Sequence, residues 1–369
     1  MTESAMFAKT NTMRFDLPRP GRQDGLSLVE LMVAITISLL LMVAASGAFL
    51  STSQSNREVQ AAGQQIENGR YGMSAVQDDL RHAGFYGQYY QISPGTITPD
   101  PCVVALAAIK DSLPIPVQGY NDSGGSPVSC IPGSDFVPGT DVLVVRRAQA
   151  IPLGGPTTPR PDDDAPVPGD IYIQSVPASA DIQIGGGGYT FDVTKADGTA
   201  TVLKRKDGVK AAEIRKFNVH VYFISPCSGT SCDGGGDGVP TLKRLELISI
   251  GGAPGFRVVP LAEGIENMQL EYGIDDQPVF PVPNPFTGQS VGDGVPDRYV
   301  AAPTAADWSN VVTVKVYMLA RNTEQSQGYT DAKTYDLGLA GTVTPGGSFK
   351  RHLFTSTTQI RNVSQRRES

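Results

Sequence analysis

Between Gly25 and Leu50 runs an apolar stretch broken by one ionisable side chain, Glu30. At ~1.5 Å per residue a helix of that length crosses a bilayer. A carboxylate in lipid costs roughly 2.5–3.5 kcal/mol on insertion scales. Glu30 therefore needs a role that a plain anchor does not supply. Ahead of the stretch, Lys9, Arg14, Arg19 and Arg22 stand against Glu3, Asp16 and Asp24. The positive-inside tendency keeps that end cytoplasmic and sends the C-terminal bulk across the membrane.

Three readings fit the stretch. One is a secretory signal cut near the small residues Ala44–Ala48. The long apolar run and the long, partly acidic leader oppose it. A second is a membrane anchor, which leaves Glu30 idle. In the third, the segment is cut after Gly25 and later leaves lipid for a protein filament, where Glu30 neutralises the new amino terminus of a neighbouring subunit. Gly25-Leu26-Ser27-Leu28-Val29-Glu30 and the residues to Ala34 closely resemble the type IV prepilin signal. That signal has a glycine before the cut, an apolar first residue and a glutamate fifth in the mature chain. The resemblance implies that prepilin peptidase cleaves between Gly25 and Leu26 and methylates the Leu26 amine, and that Glu30 serves assembly. Leu26 replaces the more usual Phe or Met, and Asp24 stands where a basic residue often precedes the glycine.

The helix is expected to continue past the membrane. Val59, Ile66, Met73 and Leu80 recur every seven residues, with Ala62, Gly69 and Val76 as a second row. This stripe is expected to pack on a sheet of its own domain. Gly63, Gly69 and Gly72 each weaken a helix by ~1 kcal/mol relative to Ala, so tertiary support is required. His82-Ala83-Gly84 ends the helix, with Gly84 as the cap. The expected parts are a leader (1–25), an apolar half-helix (26–50), an amphipathic half-helix (51–84) and a globular head (85–369).

In the head the pattern changes to period two. Thr140–Arg147, Ile171–Gln174, Asp181–Ile184, Phe217–Ile224, Val311–Leu319, Lys333–Leu337 and Leu353–Ile360 read as strands, with Val311–Leu319 central. Leu242–Ile250 and Phe256–Pro260 flank Gly251–Gly255 as a hairpin. Residues 151–170 read as an exposed loop and Gly185–Gly188 as a turn. The 41 glycines and 28 prolines agree with a strand- and loop-rich head. The fold class is α+β and pilin-like: a long N-terminal helix on a mostly antiparallel sheet with loop insertions.

Four cysteines downstream of a membrane-targeting segment read as two disulfides. Proximity pairs Cys102 with Cys130 and Cys227 with Cys232; free thiols are the alternative. The formal charge of −7, with only short basic clusters at Lys204–Lys206, Lys210, Arg215-Lys216 and Arg366-Arg367, argues against a nucleic-acid binder. His82, His220 and His352 fall in no zinc spacing, and His220 reads as a satisfied strand residue. No nucleophile or phosphate-loop motif is present, so no catalytic residue is assigned.

Leu261–Asp275, Trp308–Arg321, Tyr329–Gly338 and Arg351–Asn362 resemble, in this order, the sequence blocks of PilW-type minor pilins. With the N-terminus the resemblance covers about half the chain; residues 85–240 carry no such block. Physically, Ile265, Met268, Leu270 and Tyr272 make an apolar face beside the hairpin, and Trp308 closes the core. The resemblance implies a non-enzymatic minor subunit, held in the inner membrane by one span with a periplasmic head and then moved to the extracellular pilus. Its expected partners are the peptidase/methyltransferase, other minor pilins, the major pilin and a tip adhesin. The alternatives are a minor pseudopilin of a type II secretion system and a pilus-anchored adhesive protein.

Calcium is the one cofactor for which ligands can be named. Asp275 and Asp276 are expected to join Asp293 and Asp297 if residues 277–291 loop out. Asp233–Gly238 is a second acidic turn with half the needed ligands. Two solvated β-turns are the alternative.

Overall fold

The computed structural model describes residues 25, 27–90, 92, 94–95, 97–122, 124–153, 166–177, 179–185, 203, 212–276 and 292–368. The leader to residue 24, Leu26, Lys204–Lys206, Lys210, most of the 151–170 loop, Gly186–Gly188 and residues 277–291 lie outside them. Contacts divide the chain into two units, Met1–Arg57 and Glu58–Ser369.

Helix α1 runs Leu28–His82. Its N-terminal part holds an 18-residue window of mean hydropathy 2.5, none of it buried, long and apolar enough to cross a membrane. Its C-terminal part buries Gln65, Gly69, Gly72, Met73, Val76, Asp79 and Leu80. The expected stripe is thus corrected at its start: Val59 is 72% exposed and Ile66 40%. Glycine and glutamine occupy the contact face because the sheet approaches closely there. A Cβ on Gly69 would stand 2.1 Å from the Phe354 ring, and one on Gly72 would stand 3.2 Å from Ala262 and Leu242. Gln65 Nε2 donates to the carbonyls of Ala320 (2.7 Å) and Lys350 (3.0 Å). Gly84, at φ +73°, ends the helix as expected, and its N–H donates to Arg146 O at 3.0 Å.

The remaining elements are α2 (Leu106–Asp111), β1 (Val117–Tyr120), β2 (Val142–Ala148), β3 (Ile171–Val176), β4 (Ser179–Ile184), β5 (Ile214–Ser225), β6 (Thr241–Ile250), β7 (Ala253–Glu263), β8 (Ile265–Ile274), β9 (Arg298–Val300), β10 (Val311–Arg321), β11 (Tyr335–Asp336), β12 (Thr342–Val343), β13 (Arg351–Gln359) and α3 (Arg361–Glu368). In a seven-stranded sheet the order is β1-β2-β5-β3-β4, with β6 on β5 and β7 on β6. A four-stranded sheet has the order β13-β10-β8-β9, so the Val311 strand lies inside it as expected. Among the described residues all strand pairings are antiparallel.

Strand β5 shows how the core is partitioned. Phe217, Val219, Val221 and Phe223 enter one cluster with α2 and β3. The alternate residues Tyr222 and Ile224 join Met73, Val76 and Leu80 of α1 and the apolar residues of β8 and β10. Both faces of the strand are therefore buried. Trp308 closes the second cluster edge-on to Tyr272, with ring centroids 4.9 Å apart. The β6–β7 hairpin turns on Gly251 and Gly252 alone, at φ +62° and +88°. This is the two-residue turn that positive φ at both positions allows, and it is shorter than the five-residue connection expected. The Lys333–Leu337 strand shrinks to β11. Both expected disulfides are present, Cys102–Cys130 and Cys227–Cys232.

Candidate functional site: the capped start of the long helix

The sequence around Glu30 builds a helix start. Ser27 Oγ accepts the N–H of Val29 (3.3 Å), and Glu30 Oε2 accepts the N–H of Ser27 (3.0 Å). The Ser27 carbonyl accepts Leu31 N at 3.1 Å. This is a variant of the capping box: Glu30 takes the serine's N–H, while the serine hydroxyl takes that of Val29, one residue before the glutamate. The pattern Ser-x-x-Glu before an apolar run is legible in the sequence. Both functions fit one side chain, because a carboxylate has two oxygens and the cap uses one. Gly25 has nothing within 4 Å of where a Cβ would stand, so packing does not require glycine there. Leu26, the expected cleaved and methylated residue, lies outside the described residues.

Sequence reasoning missed Asp79. It is 3% exposed on the sheet-facing side of α1. Arg147 Nε of β2 donates to its Oδ1 at 2.7 Å, while His220 Nδ1 and the Tyr222 hydroxyl, both on β5, bond its Oδ2. Burial alone favours the neutral acid. The bond and charge of His220, the charge of Arg147 and the Tyr222 hydroxyl outweigh it, holding the carboxyl well below the usual range. His220 is thus a satisfied strand residue, as expected, and its partner is a helix carboxylate. A signal existed: Asp79 adjoins Leu80 and lies three residues after Val76, inside the apolar stripe.

Of the four acids expected to bind calcium, Asp276 and Asp297 meet, while Asp275 and Asp293 have other partners. Asp276 N–H donates to Asp297 Oδ2 at 2.8 Å, so residues 274–276 and 293–298 do come together. Asp275 is fully buried, and its Oδ2 accepts Arg367 Nε (2.7 Å) and Gly294 N–H (2.9 Å). Asp276 pairs with Arg298. Asp293 Oδ1 accepts Val295 N–H at 2.9 Å. Arginines thus supply the positive charge at Asp275 and Asp276, and the four carboxylates form no cluster of convergent oxygens among the described residues. The residues present do not fit a shared hard-cation site. The one group of three metal-type donors among the described residues is Asp135 with Cys227 and Cys232, whose sulfurs are already bonded to each other. In the other acidic turn, Asp237 accepts the Ser228 hydroxyl and the N–H groups of Ser228 and Val239. Besides Arg367, two more residues of the basic clusters are committed, Lys216 to Asp170 (2.6 Å) and Arg215 to Glu213 (2.5 Å).

Comparison with known families gives two matches. Residues 20–46 match the prokaryotic N-terminal methylation motif. Residues 221–362 match the family described as type IV pilus-assembly protein W. That second range runs from β5 to the start of α3 and takes in the hairpin and the four-stranded sheet. No curated protein and no solved structure matches the chain.

Proposed function

From the premise that this chain matches a PilW-family type IV pilin, we propose that it is a non-enzymatic minor subunit that primes pilus assembly and is built in at or near the tip. The methylation motif implies processing by prepilin peptidase. The observation that carries the reading is Glu30, the one ionisable group of an exposed apolar half-helix, placed at its capped start. Before assembly the segment lies in the inner membrane, crossing it once, with the head in the periplasm. As it leaves lipid, Glu30 pairs with the Leu26 amine of a neighbouring subunit. The pair forms where the dielectric is low and the Coulomb attraction large. Much of the desolvation cost has already been met in the bilayer, so pairing relieves a penalty. The partners are other minor pilins, the major pilin and an adhesin above them. The match over residues 221–362 favours a pilus over a type II secretion system.

The test is a pair of substitutions. Gly25→Ala should leave an uncut precursor in the inner membrane while the head folds normally, since a Cβ there meets nothing. Glu30→Gln can still cap Ser27 through its amide oxygen, but it cannot carry the charge. It should be cut, yet enter pili poorly. Normal processing of the first variant, or normal incorporation of the second, would refute the proposal. For calcium, Arg367 at Asp275 takes the place of an ion. Chelation should therefore leave the thermal midpoint unchanged, and a rise on adding calcium would return the ion to this turn.

A further inference from the structure

Lys243 of β6 is a cation with no surface exposed. Among the described residues its ammonium bonds no oxygen. Its acceptors are the two sulfurs of the Cys227–Cys232 disulfide, each 3.6 Å away. Asp135 and Asp237 act on it only through space. Disulfide sulfur is neutral and a weak acceptor, so this buried charge lacks a close partner of opposite sign. As thiolates the same two sulfurs would supply one.

A carboxylate completes the group. Asp135 is 2% exposed and ends a short turn, Gly133–Asp135. Its Oδ1 accepts Cys232 N–H at 2.5 Å. Two further bonds hold this segment to the end of β5 and to the connection after it. Val137 N–H donates to Ile224 O (3.0 Å), and Ser134 Oγ donates to Asp233 Oδ1 (3.1 Å). One Asp135 oxygen and both sulfurs lie within 4.8 Å of one another.

Two sulfurs in a Cys-x4-Cys spacing with one carboxylate oxygen make a zinc donor set, with the fourth position left to water. Opening the disulfide makes the set available. A dithiol gives up two electrons and closes to its own disulfide. The Cys227–Cys232 bond breaks, and the two protons of the dithiol pass to the cysteine sulfurs. Zinc then displaces both protons to solvent. Two thiolates and the Asp135 carboxylate set three negative charges against the two positive charges of the ion. Lys243 supplies the remaining positive charge from outside the coordination shell, through N–H bonds to the sulfurs. The site is neutral in both states, but only around the ion do Asp135 and Lys243 each touch a charge of opposite sign. The loop closed by this disulfide is short, with a sequence separation of 5, and short loops gain least from closure. The head is therefore expected to stay folded when the bond opens.

We propose that Asp135, Cys227 and Cys232 form a redox-gated zinc site, closed as the disulfide and opened by a dithiol, with Lys243 as the charge-balancing residue beside it. The proposal does not depend on the assembly reading above.

The experiment uses the full chain in detergent, reduced with excess dithiothreitol that is then removed by anaerobic gel filtration. Zinc is titrated in competition with a chromophoric chelator, and cobalt(II) is the spectroscopic probe. The reduced chain should bind zinc about tenfold or more tighter than the oxidised chain, with Kd about micromolar or below. Cobalt should show sulfur-to-metal charge transfer and the visible bands of tetrahedral coordination. Cys227→Ser/Cys232→Ser should lose both signals. Asp135→Asn can still accept Cys232 N–H through its amide oxygen but lacks the charge, and Lys243→Met removes the balancing cation. Each should weaken zinc about tenfold, the lower end of what outer-shell partners contribute. Equal zinc affinity in the reduced and oxidised chains overturns the proposal, as does retained cobalt charge transfer in the double serine variant. So does unchanged affinity in either single variant that folds. If reduction abolishes the near-ultraviolet circular dichroism of the head, zinc should restore it, and failure to restore it overturns the proposal as well.

Discussion

Asp141 shows what a single buried carboxylate does to this head. It is 1% exposed at the start of β2 and accepts the N–H groups of Asp122 and Leu270, each at 2.8 Å. Burial pushes its pKa up to about 6, against the pull of those two bonds. The folded state therefore holds this proton more tightly than the unfolded chain does. The resulting stability is present below about pH 4 and is lost as pH rises towards 6. At neutral pH the loss amounts to roughly 2–3 kcal/mol. In Asp141→Asn the free energy of unfolding should lack this fall between pH 4 and 6, and urea titrations of both proteins across that range would show it. Asp79 has the opposite sign. Its lowered pKa favours the fold above the acid range, and losing one partner of such a buried ionic cluster costs about 3–5 kcal/mol. Neither effect was legible beforehand. The sequence shows that these acids exist, but their partners lie as far off as Leu270 and His220.

At the scale of elements, the long helix and the strongly alternating strands were legible, because periodicity is a local property. Strand Phe217–Ile224 alternates in sequence and alternates between two cores in space. The contact face of α1 was legible only in part. A heptad count favours Val59 and Ile66, but the sheet comes close where the helix carries Gly69 and Gly72. A small residue marks close approach as surely as a large one marks burial, and hydropathy counts only the large. Helix α3 went unseen for a related reason. Its residues Arg361–Glu368 are mostly polar, and it is held by Arg367 on Asp275 and Asn310. The glycine contact can be tested. Gly69→Ala gains ~1 kcal/mol of helix propensity but forces the Phe354 ring aside, an overpacking that typically costs 1–3 kcal/mol. A net destabilisation of about 1 kcal/mol should appear in the denaturant midpoint. Gly63→Ala, where a Cβ meets nothing, should instead stabilise the protein.

For the whole molecule, the division at Arg57/Glu58 sets an expectation about independence. A chain beginning at Glu58 keeps every buried residue of α1 and loses the apolar segment. It should be soluble without detergent and unfold cooperatively. The two disulfides should then matter unequally. Cys102–Cys130 spans a sequence separation of 28 and Cys227–Cys232 one of 5. Loop-closure entropy makes the first worth about 3–4 kcal/mol and the second about 2 kcal/mol. Replacing each pair by serine and comparing urea midpoints checks the order. The candidate site divides by distance too. The Gly25–Glu30 signal was legible because all its parts are adjacent in the chain. The Asp79 cluster was not, because its partners Arg147, His220 and Tyr222 stand far off in the chain.

Gly69 and Phe354 have one more consequence, for how this chain can vary. The missing Cβ of one and the ring of the other fill the same space, so the two codons form a single heritable unit. A drift to alanine at the first opens a route only if the second shrinks. Phe354→Leu, harmful by itself through lost contact, should become tolerated once Gly69→Ala is present. A library built at both positions together should therefore yield folded pairs that neither single-site library contains.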